Sequence, residues 1–306
     1  MINIVDPHIH FFDLQRGKYK WLQPNEPPLW PDKKLINRNI SIDEMTLNQE
    51  FYELIGLVHI EAGFDNVHPE LEIQNVERIF DSSGLTDQSA IKVLGSALRA
   101  FRVISFVDIT LANHDFKAAL DKQLSYSSCV GIRHIFDDQT VSICRHPNTL
   151  QNLRKLVERG GVLELQFDLS SDTDTVAVIQ MLERVPDLKV VINHAGFAPF
   201  LKPQKYSAWL RHLALLSVQK QIYIKVSGFE MVSREFRWQQ AAVVIDDVAK
   251  SFGQHRLMLA SNFPVCLLAK SYSHYWDGLL KCSQQIGLDL TAIASKNASD
   301  FYSMGI

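Results

Sequence analysis

Ile2-Asn3-Ile4-Val5-Asp6-Pro7-His8-Ile9-His10-Phe11-Phe12-Asp13 is the stretch from which the rest of this chain can be read. Ile2 to Val5 has the apolar character of a short buried strand, and two histidines separated by one residue follow it directly. On an extended backbone, residues i and i+2 project to the same side. His8 and His10 can therefore aim two imidazoles at one point beyond the strand's end, and imidazole is the commonest side-chain ligand of a divalent metal. Two nitrogens do not complete a site, so partners must come from elsewhere in the chain.

Beyond this stretch, apolar strand-length runs alternate with helical patterns to the end of the sequence. Phe12 to Asn39 is long, aromatic and proline-rich (Trp21, Pro24, Pro27, Pro28, Trp30, Pro31) and reads as a loop packed by its own aromatics, of the kind that often serves as a lid. Ser41 to Glu53 reads as a helix capped by Ser41 or Asp43. Strands follow over Leu57–Glu61, Arg102–Ile109, Val130–Phe136, Val162–Phe167, Leu188–Asn193, Ile222–Val226 and Arg256–Ala260. The helices between them are Pro69–Ser83, Asp115–Ser125, Asn148–Glu158, Thr173–Arg184, Ser207–Gln219 and Phe236–Phe252, and two more come last. About eight β–α units mean a parallel sheet, and that number favours closure into a (β/α)8 barrel over an open doubly wound sheet. No Gly-x-Gly-x-x-Gly follows the first strand, which weakens a dinucleotide-binding fold.

The totals agree with one barrel domain over residues 1–306. The 306 residues are 46% hydrophobic, enough for one large core, and a barrel uses about 250 residues as a unit. The net charge of −3 comes from mixed acids and bases with no basic stripe, which argues against nucleic acid as a partner. No apolar run reaches the roughly 18 residues of a membrane span. The chain enters its first strand without a basic-then-apolar leader, which predicts a cytoplasmic protein. Cys129, Cys144, Cys266 and Cys282 are scattered, without a Cys-x-x-Cys pair.

In a barrel, residues just past each strand's carboxyl end line the active site. Strand one then offers His8 and His10, and strand two His59 and Glu61, read as one face by the period of two. Strand three offers Asp108. Strand four offers Arg133 and His134, followed by Asp137 and Asp138, and strand five Glu164, Gln166 and Asp168. Strands six, seven and eight end in Asn193-His194-Ala195-Gly196, Lys225-Val226-Ser227-Gly228 and Ser261-Asn262-Phe263-Pro264. His59 reads better as a satisfied core histidine than as a ligand.

These motifs, together with Gly131-Ile132-Arg133 and Asp6-x-His8-x-His10, resemble the amidohydrolase superfamily, within it the branch of metal-dependent TIM-barrel hydrolases that contains pyrone-dicarboxylate and sugar lactonases. The resemblance spans the whole chain. It implies a distorted TIM barrel that hydrolyses a lactone or related cyclic ester. It also implies catalytic roles for His8, His10 and His194, and substrate contacts from Arg133, with His134 beside it, and Lys225. A small-molecule substrate is the expected partner, and a homodimer is an open assembly.

The sequence departs from this pattern at strand eight. Most members have Ser-Asp-x-Pro there, with the carboxylate as base and metal ligand; this chain has Asn262, and an amide cannot take up a proton near neutrality. Where some branches place aspartate after Ser-Asn-Phe-Pro-Val, this chain has Cys266. No carboxylated-lysine bridge is evident either. The expected metal site is therefore one weakly held divalent ion on His8, His10 and His194, zinc by preference, or none. Glu61 is the candidate replacement base. Two other readings stay open: a barrel that has lost its base and only binds a small molecule, and a metal-dependent decarboxylase.

Overall fold

The computed structural model describes residues 1–82 and 98–306. Eight parallel strands pair in sequence order: β1 (Ile2–Ile9), β2 (Tyr52–Ile60), β3 (Ala100–Phe106), β4 (Cys129–Ile135), β5 (Val162–Gln166), β6 (Val190–Ile192), β7 (Ile222–Val226) and β8 (Leu257–Leu259). The sheet curls round so that Ile9 bridges Phe263, and the His10 amide donates to the Phe263 carbonyl at 2.7 Å. The result is the distorted (β/α)8 barrel that the alternation of patterns predicts.

Side-chain alternation divides the apolar residues into two cores. Val5, Val58, Ile60, Ile104, Val162, Val191 and Met258 form one cluster, joined by Phe301, Tyr302 and Met304 from the end of the chain. Their strand neighbours Leu57, Ile132, Leu163, Leu165, Ile192, Ile224 and Leu257 belong to the other, larger cluster, which they share with the helices. Those helices include α1 (Glu70–Ser82), α2 (Asn113–Gln123), α3 (Thr140–Arg145), α4 (Thr149–Glu158), α5 (Asp172–Leu182), α6 (Pro203–Ser217), α7 (Phe229–Val232), α8 (Trp238–Phe252) and α9 (Tyr272–Ile286), whereas α10 (Asn297–Phe301) packs into the first cluster. Among the described residues no helix is long and apolar enough to cross a membrane.

One local expectation is corrected. The helix expected over Ser41–Glu53 is only a 3-10 turn at Ile42–Glu44. Tyr52 and Glu53 are instead drawn into β2, where they pair with Ile2 and Asn3, so tertiary pairing overrides local propensity. The helix expected to end at Ser83 is present over Glu70–Ser82, and position 83 lies outside the described residues.

The proline-rich segment between β1 and β2 folds over the carboxyl end of the barrel. It contains two 3-10 turns, Lys20–Leu22 and Lys33–Leu35. The buried Lys33 ammonium ties it together by donating to the carbonyls of Trp21, Gln23 and Glu26. Arg234, just past α7, pins it to the barrel through Asp32 (Nε to Oδ2, 2.7 Å), with its guanidinium 4.7 Å from the centre of the Trp30 ring.

Candidate active site

Three histidines meet at the carboxyl end of the barrel. The ring of His8 lies 5.0 Å from that of His10 and 4.5 Å from that of His194, measured between centroids. His10 places Nδ1 2.7 Å from the Ile60 carbonyl, which can only accept, so Nδ1 carries the proton and Nε2 keeps its lone pair. His194 places Nδ1 3.0 Å from the Ser227 hydroxyl. His194 itself, Ala195 and Phe197 have left-handed backbone (φ 54°, 50° and 56°), a costly conformation that recurs at functional sites. Gly228 makes room for this turn: a Cβ there would stand 2.8 Å from the Cβ of His194. Burial, reinforced by Lys225 for His8 and by Arg133 for His10 and His194, holds all three imidazoles well below their ordinary titration, so they are neutral near pH 7.

Lys225 was expected to reach substrate, and the structure corrects this. It is fully buried beneath the histidines, where Nζ donates to both oxygens of Glu164 at 2.7 Å. The Tyr302 hydroxyl donates to the same carboxylate at 2.6 Å. Burial lowers the Lys225 ammonium to about 8 against the opposing pull of Glu164. Lys225 is thus a support under the site, with Nζ 3.5 Å from His8 Nδ1.

Arg133 and His134 were both expected at the mouth, but adjacent residues on a strand face opposite sides. Arg133 turns inward. Its Nε donates to Glu61 Oε1 at 2.7 Å and its Nη2 to the Glu61 carbonyl, while Nη1 has no protein partner among the described residues. His134 turns outward between the rings of Phe106 and Phe136, accepts from the Ile109 amide and lies 3.6 Å from Asp108. It does not line the cavity, and neither does Asp108. His59 and Glu61 do not share a face either, because β2 ends at Ile60 and its period of two ends there too. His59 bonds Glu72 of α1 at 3.0 Å, the satisfied core histidine expected, whereas Glu61 enters the cavity.

Arg133 is consequently both a cavity residue and half of a buried ion pair. Arg133→Ala is expected to cost about 3–5 kcal/mol of stability in urea unfolding, because Glu61 keeps its charge without a partner. Unchanged stability would show that Glu61 finds water or another cation.

Asn262 does face the cavity, in a left-handed backbone conformation (φ 59°) that asparagine tolerates better than most residues. Its Nδ2 donates to Glu230 Oε1 at 2.6 Å, and the Tyr275 hydroxyl donates to Glu230 Oε2 at 2.8 Å. Sequence reasoning missed Glu230. The available signal was an acid set between Phe229 and Met231 directly after Ser227-Gly228. Cys266, the other departure at strand eight, is a fully buried thiol that burial pushes well above its ordinary range, so it is not a nucleophile.

Burial raises the Glu230 carboxyl from its ordinary 4.5 to about 7. A carboxyl raised on folding stabilises the fold while it is protonated in both states, and that contribution is lost as pH climbs. Stability is therefore expected to fall between pH 4.5 and about 7, by something on the order of 3 kcal/mol from this group. In Glu230→Gln the decline should flatten. Parallel wild-type and Glu230→Gln stability curves across that window would contradict the assignment.

The cavity above these groups has a volume of about 760 Å³, within the usual range for a small-molecule site. His10, Glu61, Arg133, His194 and Asn262 line it, Asp137 and Gln166 add polar wall, and Trp21 and Trp30 from the β1–β2 segment cover it. Asp137 also has left-handed backbone (φ 38°), and burial raises its carboxyl.

A family model described as amidohydrolase matches residues 5–304. This chain belongs to the amidohydrolase family. A curated relative, the uncharacterized protein y4mH of Sinorhizobium fredii, is 24% identical to this amidohydrolase-family chain and covers 98% of each sequence. Among solved structures, an amidohydrolase from Burkholderia multivorans with bound zinc superposes with a TM-score of 0.76 at 18% identity, covering 98% of this chain and 99% of its own. A probable 2-pyrone-4,6-dicarboxylic acid hydrolase from Acinetobacter baumannii, with citric acid bound, gives 0.66 at 18% identity, covering 99% and 100%.

Zinc in one relative makes metal binding a question for this amidohydrolase-family chain, and its own donors bear on the answer. The three imidazoles are neutral, and His8 Nε2 is buried without a hydrogen-bond partner, as a ligand nitrogen would be. Yet among the described residues no three His, Cys, Asp or Glu side chains stand in an arrangement that could hold an ion. The Lys225 ammonium also points at His8 Nδ1, where a donor leaves the imidazole proton on Nε2, the nitrogen a metal would need. His8, His10 and His194 are brought together, but as they stand they do not form a fitting metal site, and Asn262 adds no anionic donor.

Proposed function

We propose that this amidohydrolase-family protein hydrolyses a lactone, a cyclic ester of a sugar acid or dicarboxylate, by water attack at the barrel mouth. The observation that carries the reading is the buried Arg133–Glu61 pair on the cavity wall, each partner keeping one side-chain polar atom unengaged among the described residues. Arg133 Nη1 is available to the carbonyl oxygen, where negative charge develops, and Glu61 Oε2 is available to the attacking water. His10 Nε2, an acceptor, can orient that water. Water oxygen bonds to the carbonyl carbon as its proton passes to Glu61. The ring C–O bond then breaks, and the leaving alkoxide takes that proton back, which yields a hydroxy acid.

The binder reading draws support from Asn262, whose amide is engaged with Glu230 and can accept no proton. A metal-dependent decarboxylase draws less, because among the described residues no three donors are arranged for an ion. A panel of aldono- and pyrone-lactones, assayed with and without chelator, separates the three. Hydrolysis that survives chelation supports the proposal. No turnover of any lactone leaves the binder, and loss of activity on chelation assigns the chemistry to a metal instead.

A further inference from the structure

We infer that Glu230 is a positioning residue that locks the Asn262 amide with its carbonyl oxygen toward the cavity, so that the site presents a fixed hydrogen-bond acceptor at this point. This deepens the reading of the same site and rests on that reading only for its kinetic readout.

Asn262 lines the cavity, but the orientation of its amide is set from behind. Above about pH 7, where Glu230 is ionised, its carboxylate offers only acceptors, so Glu230 Oε1, 2.6 Å away, must receive an N–H and not face the amide oxygen. The second Nδ2 hydrogen has a partner too, Met231 Sδ at 3.4 Å. With both hydrogens engaged by neighbours on α7, the amide has only Oδ1 left, and Oδ1 has no protein partner among the described residues. Glu230 cannot swing away, because it is fully buried and its Oε2 accepts from the Tyr275 hydroxyl at 2.8 Å. The left-handed backbone of Asn262 (φ 59°) adds a further constraint, since few side chains other than asparagine tolerate it. A hydroxyl of the substrate or the attacking water, each an O–H donor, is what such an acceptor recognises. A substrate carbonyl or carboxylate oxygen placed there would be repelled.

The test uses the full-length protein labelled with [15N]asparagine, at slightly alkaline pH. The side-chain signal absent from Asn262→Ala belongs to Asn262. In wild type one of its protons should lie well downfield, as expected for an amide bonded to a carboxylate. In Glu230→Gln, whose amide can present either a donor or an acceptor, that proton should move upfield. An Asn262 signal unchanged in Glu230→Gln overturns the inference whether or not any lactone is a substrate. A second variant guards against misfolding. Asn262→Asp sets two carboxyls on one hydrogen bond, so its melting temperature should drop more steeply with rising pH than that of wild type, and the Asn262→Asp/Glu230→Gln double variant should lose that extra dependence. No extra dependence in Asn262→Asp would mean that the two side chains are not in contact. With a lactone that wild type turns over, Glu230→Gln should lower kcat/KM roughly tenfold while the fold stays intact, the worth of one misdirected hydrogen bond. Unchanged kcat/KM would show that the orientation of Asn262 does not matter to the substrate.

Discussion

Lys225→Met is expected to lose about 3–5 kcal/mol of folding stability, measured by urea unfolding at neutral pH. Methionine has nearly the length of the lysine stem, so packing inside the barrel should survive. What is lost is the counter-charge of Glu164, which like Lys225 is wholly buried and among the described residues would keep only the Tyr302 hydroxyl. An ionised carboxylate left unpaired in a dry interior either pays for desolvation or takes up a proton. The double variant Lys225→Met/Glu164→Gln should recover most of the loss, because the amide still accepts from Tyr302 and carries no charge. If the single variant is as stable as wild type, the pair is hydrated in solution and its place as a dry support beneath His8 is wrong.

Glu61→Gln is expected to reduce lactone turnover by about a hundredfold or more, the usual scale for a lost general base. The amide oxygen can still accept from Arg133 Nε, so the side chain should remain in place. Part of the effect will appear as lower stability, since Arg133 loses its buried counter-charge, and single-turnover rates on folded protein separate the two. Unchanged turnover would move the base elsewhere. Asp137, which lines the cavity and has a carboxyl raised by burial, is then the next candidate. Asp108 is not, because it lies outside the cavity against Thr110 and His134.

Several misplacements share one cause. A polar residue near a strand's carboxyl end need not face the barrel mouth. Strand periodicity alone separates Arg133 from His134 and turns His134 away from the mouth. It could not have placed Glu61, which lies past the end of β2, or Lys225, which faces inward but sits too deep to reach the cavity. Nor could it have found Glu230, whose importance comes from Asn262, 32 residues further along the chain, and from Tyr275 on α9.

What the sequence determined by itself is the order of β–α units, the barrel they close into, and the position of His8, His10, His194, Arg133 and Asn262 at strand ends. These follow from local periodicity and from a packing rule common to the fold. Tertiary structure alone decided which charges pair, which of the expected site residues reach solvent, and how the Asn262 amide is turned. Depth along the barrel axis and contacts between distant elements leave no periodic trace in the chain, yet they set the burial and hydrogen bonding on which the chemistry depends.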